Sequence, residues 1–377
     1  MAEKAIRLGG ESTTAAVTQA VDGLYPEHKF NEADFTLKHN DDEIAVDSNF
    51  AAQSFWKDAR IRFFRKKSAV LGLVMIMIIL LLAIFGPGMN AYTYSGQDLS
   101  QKNFAPRVPG IEQLGILDGS EKMSTTTGTK IVNNYVEKGK DDVYYWFGSD
   151  LYGRDIWTRT WEGARVSLII AVAAAVIDML IGMSYGLISG YFGGKVDIAL
   201  MRVTEVFAAI PFLPFAMILS SIMSHMPWSE NAKIFLLMCI LGVLSWTGLA
   251  RLVRGQVLVA RENEYVTAAK AMGIKESKIA FKHILPNVIS IIIVTLTLDF
   301  ATCMLTESSL SYLGFGVTPP RPTWGNMLNG ANNMTVMNNY WWQWLFTALF
   351  LAVTTICINI IGDALRDVMD PKSNAER

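Results

Sequence analysis

Six long apolar runs constrain this chain more than any other feature. Residues 68–86 (SAVLGLVMIMIILLLAIFG), 206–223 (VFAAIPFLPFAMILSSIM), 234–250 (IFLLMCILGVLSWTGLA) and 341–362 (WWQWLFTALFLAVTTICINIIG) carry no charge. Residues 166–190 carry only Asp178, and residues 288–313 only Asp299 and Glu307. Each run is close to the ~20 residues a helix needs to cross a bilayer. Backbone in lipid has no water to bond to, so only helices or closed barrels can span, and these runs do not alternate with period two. The chain therefore reads as an all-α polytopic membrane protein with six transmembrane helices. The first run starts only after residue 67, too late for the core of a cleaved leader, and is expected to act as an uncleaved anchor.

Charge and cysteine usage exclude other classes. Lysine plus arginine (33) balance aspartate plus glutamate (34), which excludes a nucleic-acid binder driven by bulk charge. Cys239, Cys303 and Cys357 are far apart in apolar runs and read as small hydrophobes, not as a disulfide frame or a metal set.

Orientation follows from the short flanks. Arg60, Arg62, Arg65, Lys66 and Lys67 precede the first run, and Lys195 and Arg202 flank the turn between the second and third. Arg251, Arg254, Arg261, Lys270, Lys275, Lys278 and Lys282 fill the segment between the fourth and fifth, whereas the alternate short loops hold Lys233 or Arg321 alone. Both termini are expected in the cytoplasm, with 87–162 outside.

Residues 1–54 are acidic, with ten acids against four bases, and read as a disordered tail or as a short docking element. Residues 55–67 mix aromatic and basic side chains. They fit a helix in the headgroup layer with Trp56 and Phe63 down, or a simple stop-transfer cluster. The segment 87–162 has no long helical period; a small folded unit around Tyr144, Tyr145, Trp146 and Phe147 is expected there. Residues 190–194 (GYFGG) predict a tight turn, and Pro211 with Pro214 a kink in the third span. Residues 163–367 carry spans two to six, and 368–377 form the C-terminus. Membrane lipid is an expected partner and nucleic acid is not.

Residues 261–287 (RENEYVTAAKAMGIKESKIAFKHILPN) are too polar to span and too long for a bare turn. Tyr265, Ala268, Ala269 and Met272 recur at helical spacing, Gly273 breaks the run, and Lys275, Lys278 and Lys282 share one face of a second helix that Pro286 is expected to end. The tip, Ala271, Met272, Gly273 and Ile274, forms a small apolar knob. An interfacial loop reading accounts for the lysines through anionic headgroups, but not for the knob.

This Ala-Ala-x3-Gly pattern, followed by a short helix and Leu-Pro, resembles the cytoplasmic loop of permease subunits of binding-protein-dependent ABC importers. The likeness spreads over 55–371: YYWFGSDLYGRDIWTR (144–159), GARVSLI (163–169), GYFGGKVDIALMR (190–202), ARLVRGQVL (250–258), EYVTAAKAMG (264–273), HILPN (283–287), ESSLSYLGFGVTPPRPTWGNML (307–328) and GDALRDVMDP (362–371) all resemble the OppC/DppC peptide-permease family. Thr267 departs from the usual glutamate of that loop, and both the acidic tail and the external segment look long for the family. The resemblance implies a type I ABC importer permease fold and a subunit that forms half of a path for oligopeptides or dipeptides in a bacterial cytoplasmic membrane. It implies a second, OppB-like permease, two cytoplasmic ATPases (OppD-like and OppF-like) and an extracytoplasmic, OppA-like peptide-binding protein. Ala268, Ala269, Ala271, Met272, Gly273, Ile274, Lys275 and Glu276 would then form the coupling segment that meets an ATPase. Similar subunits carry nickel complexes, so another small solute is the alternative cargo.

The chain itself lacks a phosphate-binding loop: GGKV (193–196) and KGKD (138–141) miss the Ser or Thr that a Walker A motif needs. No enzymatic motif appears, so no catalytic residue, metal or cofactor is assigned to it, and ATP with magnesium would sit in the partner subunits. The rival reading is a proton-coupled secondary transporter using Asp178, Asp299 or Glu307, since a carboxylate inside a span costs about 2.5–3.5 kcal/mol on insertion scales. Asp299 and Glu307, with Thr306, Ser308 and Ser309, read as a polar stripe on one face of span five. The stripe and Asp178 line the path or form a network that joins helices. Arg202 and Glu205 are expected to pair locally. The stretch 316–328, with Pro319, Pro320 and Trp324, is expected to be a rigid external loop touching the binding protein or closing the cavity.

Overall fold

The computed structural model describes residues 55–125 and 128–369; the acidic segment 1–54 and residues 370–377 lie outside the described residues. The chain divides into two compact units, Met1–Lys57 and Asp58–Arg377, and the elements beyond the first turn of α1 all belong to the second.

Helix α1 (Phe55–Arg65) leads at Lys66 into α2 (Lys67–Phe85). α2 is apolar all round, and Leu71, Val74, Met77, Leu81 and Ile84 are exposed, as a lipid-facing surface requires. Its buried face is Ala69, Gly72, Ile79 and Ala83. After a Gly86–Gly88 turn the chain forms the antiparallel hairpin β1 (Ser120–Thr125) and β2 (Gly128–Asn133), with Glu121 opposite Val132, and the short α3 (Asn134–Glu137). This folded unit has its own small core of Phe104, Tyr135 and Tyr145, with Tyr92 and Val143 against it. Of the four aromatics expected at its centre only Tyr145 is there. Tyr144 lies under the Arg107 guanidinium at 4.5 Å, while Trp146 and Phe147 turn onto the helices, each within 5 Å of Trp157.

Helix α4 (Ile156–Phe192) is capped by Asp155, whose carboxylate accepts from the Thr158 amide at 2.8 Å. Its 37 residues make it roughly 55 Å long, well beyond a ~30 Å hydrocarbon core, so its first turns belong to the polar end that sequence assigned to the loop. Gly193 and Gly194, both left-handed at φ 65° and 53°, make the expected tight turn into α5 (Gly194–Ala209). The third span is broken, not merely kinked: α5 and α6 (Phe212–Ser224) meet at 76°. Ile210, held extended by the following proline (ψ 123°), ends α5, and Pro211 opens α6. Pro214 sits in the first turn of α6, where its missing N–H is harmless. The fourth span also bends, by 45° at Trp246, between α7 (Glu230–Ser245) and α8 (Thr247–Ala260).

Helix α9 (Glu264–Ala271) and the single turn α10 (Glu276–Ile279) follow. A π turn at Ala280–Ile284 then joins α10 without a break to α11 (Leu285–Tyr312). Pro286 therefore does not end the second helix. It falls at the first turn of α11, and the wide i→i+5 turn before it absorbs both the lost donor and the ring. α12 (Trp324–Gly330), α13 (Met334–Asn339) and α14 (Trp342–Met369) complete the chain.

Four helical stretches are long and apolar enough to cross a membrane, Lys67–Gly88, Ile156–Phe192, Glu276–Tyr312 and Trp342–Met369, and the two bent pairs bring the spans to six. Lys66 Nζ meets Asp367 at 2.5 Å, so the start of the first span and the end of the last lie on the same side, as an even number demands.

Candidate functional site

The connection between α8 and α11 is a capped helical projection. α9 carries Glu264 in its first turn and Lys270 in its last, the arrangement that the helix dipole favours. Met272 caps it and Gly273 follows at φ +71°. The Gly273 amide donates to Lys270 O at 2.9 Å and the Ile274 amide to Ala269 O at 3.2 Å, which together complete a Schellman motif. A Cβ at Gly273 would meet nothing within 4 Å. The glycine is there for its backbone, not for space.

The eight residues read from sequence as the coupling segment divide between two faces. Ala269 is buried and Ile274 is partly buried; with Val266, Ile279, Ala280 and Ile284 they pack on Leu187, Val253 and Val257 at the ends of α4 and α8. Tyr265, Ala268, Ala271, Met272 and Gly273 are exposed, Met272 to 71%, and Lys275, Glu276, Lys278 and Lys282 are exposed beside them. The helical spacing of Tyr265, Ala268 and Met272 thus marks the outward face, whereas Ala269 belongs to the inward one. Thr267 is exposed and leaves the fold of the loop intact.

The projection is fixed to its helices by contacts that sequence reading missed. Gly182, Gly186 and Gly190 repeat every fourth residue along α4 and let α8 lie directly on it. A Cβ at Gly186 would sit 2.4 Å from Ala250 O, and one at Gly190 2.8 Å from Arg254 O. The G-x3-G-x3-G string at 182–190 was the available signal. Arg254 reaches across to α5 in a two-pronged contact with Asp197, at 2.5 and 2.6 Å, and the Ser189 hydroxyl donates to the same carboxylate at 2.5 Å. Arg261 Nη1 donates to Gly190 O at 3.2 Å. The expected Arg202–Glu205 pair forms at 2.7 Å on an exposed face.

The polar residues of the spans separate in the same way. Asp178 and Asp299 face one cavity of about 430 Å³ between α4, α7, α8 and α11, with Thr302, Cys303 and Thr306 on its wall. Glu307 does not join them. Eight residues turn a helix by about 80°, so Glu307 points elsewhere and is fully buried. The Ser311 hydroxyl donates to its carboxylate at 2.7 Å and Ser308 at 3.4 Å, with Ser167 and Thr323 also in bonding contact. Ser309 is exposed and bonds back to Leu305 O at 2.7 Å. The stripe read along span five is thus a cavity wall, a buried network and an outer residue.

Trp324 is not an external contact either. It is fully buried; its indole donates to Thr160 O at 3.0 Å and its amide to Ser167 Oγ at 3.2 Å. Part of the expected loop is helical, because Thr323 and Asn326 form a capping box that starts α12. Pro319 and Pro320, joined by a cis peptide, remain exposed.

The sequence matches known proteins over most of its length. Residues 182–374 match the model of the binding-protein-dependent transport system inner membrane component, and residues 54–106 that of the N-terminal transmembrane domain of oligopeptide transport permease C. The oligopeptide transport system permease protein OppC of Bacillus subtilis is 38% identical over 319 residues, 85% of this chain and 90% of that protein. OppC of Escherichia coli K12 is 35% identical over 338 residues (89% and 96%), and the dipeptide transport system permease protein DppC of B. subtilis 33% over 338 residues (90% and 92%). A solved structure of the MetNI methionine ABC transporter matches at TM-score 0.39 and 19% identity, covering 55% of this chain and 94% of that one. With the six-span all-α fold in place, the chain belongs to the family of inner-membrane permease components of binding-protein-dependent transport systems, on its OppC/DppC branch.

Proposed function

We propose that this chain is a permease subunit of an ATP-driven importer that moves oligopeptides or dipeptides across the cytoplasmic membrane, and that Ala268, Ala271, Met272 and Gly273 seat in a cleft of a cytoplasmic ATPase. The observation that carries the reading is the α9–α10 projection. It presents a small apolar tip on an otherwise charged surface, while its inner face is packed onto α4, α8 and α11. Force on such a tip moves three spans together instead of bending a loop. The relatives named for oligopeptide and dipeptide transport favour peptide over nickel complexes as cargo.

In this reading the projection, α1 and the end of α14 are cytoplasmic, and the folded unit of residues 87–155 is outside, where Pro319 and Pro320 face a peptide-binding protein of the OppA kind. A second, OppB-like permease supplies the other half of the path. OppD-like and OppF-like subunits bind ATP and magnesium. Asp178, Asp299 and Thr306 line the path, while Glu307, Ser308 and Ser309 belong to the helix that carries it.

Two variants test the contact. Gly273→Arg puts bulk and charge on the tip, and Met272→Glu puts charge there without touching the left-handed backbone. Both should insert and co-purify with the second permease, and both should lose uptake of labelled peptide in reconstituted complex, because an apolar cleft does not accept an unpaired charge. Uptake at the normal rate in both would refute the docking assignment.

A further inference from the structure

The cavity between α4, α7, α8 and α11 is chemically one-sided. Asp178 lines it while 97% buried, and its Oδ1 has no hydrogen-bond partner among the described residues. Asp299 is the second carboxylate on the same wall. The four lining hydroxyls have each committed their proton to backbone one turn earlier: Ser245 to Leu241 O, Thr295 to Ile291 O, Thr302 to Leu298 O and Thr306 to Thr302 O. Their oxygens therefore offer the cavity acceptors only. No lysine, arginine or histidine is among the described lining residues. The remaining wall is apolar, with Phe212, Leu241 and Leu252.

A pair of carboxylates and four acceptor hydroxyls call for a ligand that brings donors and positive charge. Among the described residues no group of three or more metal-binding side chains forms, so a bare metal ion lacks a ligand set. A primary ammonium has three donors, one for each carboxylate and one for a hydroxyl. A volume of about 430 Å³ also leaves room for the chain that bears it. We propose that Asp178 and Asp299 form a subsite for a primary ammonium group on an organic chain. On the importer reading above, on which only this identification rests, the group is the N-terminal ammonium of the peptide in transit.

The test uses the assembled complex in liposomes, with the three native cysteines replaced by alanine and a single cysteine introduced as Leu252→Cys on the cavity wall. The readout is the rate of labelling by a membrane-permeable maleimide. Butylammonium should slow labelling at least tenfold. Butanol, which has the size without the charge, and tetramethylammonium, which has the charge without donors, should not. Asp299→Asn or Asp178→Asn should raise the protecting concentration at least tenfold; the comparison of the three probes needs neither variant to fold. Equal protection by butanol would overturn the subsite, leaving an apolar pocket. So would absence of protection by butylammonium, including the case in which Asp178→Asn loses co-purification with the second permease because a basic side chain of that subunit fills the cavity. A complex that imports peptide without butylammonium protection fails this inference alone. One that is protected but imports no peptide fails the importer reading and keeps the subsite.

Discussion

Glycine carries two separate functions in this chain, and substitution tells them apart. At Gly273 the backbone is left-handed and the surroundings are empty. At Gly186 the backbone is ordinary helix and the surroundings are full, since an added Cβ would lie 2.4 Å from Ala250 O and 2.8 Å from Val253 Cβ. The first obstacle is backbone, which cannot rotate aside, so α4 and α8 must part. Gly186→Ala is expected to destabilise the fold by about 1–3 kcal/mol, the range for overpacking. Gly255, on the exposed side of α8 with nothing within 4 Å of a Cβ, is the internal control. Gly255→Ala should be neutral or stabilising by up to about 1 kcal/mol through helix propensity. Thermal midpoints of the detergent-solubilised complex measure both, and a Gly186→Ala midpoint equal to that of Gly255→Ala would contradict direct α4–α8 contact. Both kinds of glycine left traces in the sequence. Gly273 follows a helical run of small residues, which is how a C-terminal cap is recognised. The stripe Gly182, Gly186, Gly190 is a spacing that only acquires meaning once a partner helix is known to lie on it.

Among the elements, the β1–β2 hairpin meets the residue before α14 through a titratable contact. Glu121 Oε2 accepts from the Trp341 indole at 3.2 Å, and burial pushes the Glu121 carboxyl up to about 7, with the indole bond opposing the shift. Because the folded value lies above the unfolded one, the docked state holds a proton that the free hairpin has released between about pH 4.5 and 7. Docking is therefore strongest at low pH and weakens as pH rises through that window. Hydrogen exchange of residues 120–133, corrected for intrinsic rate, should show more opening at pH 8 than at pH 5. Glu121→Gln should remove the difference; an unchanged difference in the variant would assign it to another group. Nothing in the sequence foretold this hairpin, because its strands carry no alternating apolar face. The spans were legible because lipid imposes length and hydropathy on each. Their breaks were only partly so. Pro211 announced one, though not its 76° angle, while the 45° bend at Trp246 has no proline to mark it. Pro286 misled, since a proline reads as a stop unless the π turn ahead of it is known. The split of Asp299 from Glu307 was in principle countable from the eight-residue spacing, but two of the four hydroxyls around Glu307, those of Ser167 and Thr323, come from α4 and from the segment before α12, far off in sequence.

At the scale of the whole molecule, the placement of charge bears on which side each end faces and on what drives the cycle. The Lys66–Asp367 contact puts the flanks of the first and last spans together, and the arginines and lysines near them favour the cytoplasm. A single cysteine placed by Lys138→Cys, an exposed position of the folded 87–155 unit, should then react with an impermeant maleimide in intact cells. Labelling only after lysis would invert the sidedness of every span. The energy source follows from where the charged groups sit. A proton-driven carrier needs a titrating group whose loss uncouples transport. Glu307 is a poor candidate, because it is sealed among hydroxyls of Ser311 and Ser308 and away from the cavity; Glu307→Gln should lower the amount of assembled complex and leave the activity per complex largely intact. Asp299 does face the cavity, so Asp299→Asn should slow uptake of a peptide with a free amino terminus. On the proposed docking of the α9–α10 projection in an ATPase, neither change should alter what drives the cycle, because the projection packs on α8 and α11, which also carry the cavity walls. In liposomes loaded with ATP, uptake should continue when a protonophore collapses the pH gradient, and it should stop when ATP is withheld under an imposed gradient. Uptake that dies with the gradient, or runs on it without ATP, would transfer the role of motor from the projection to Asp178 and Asp299.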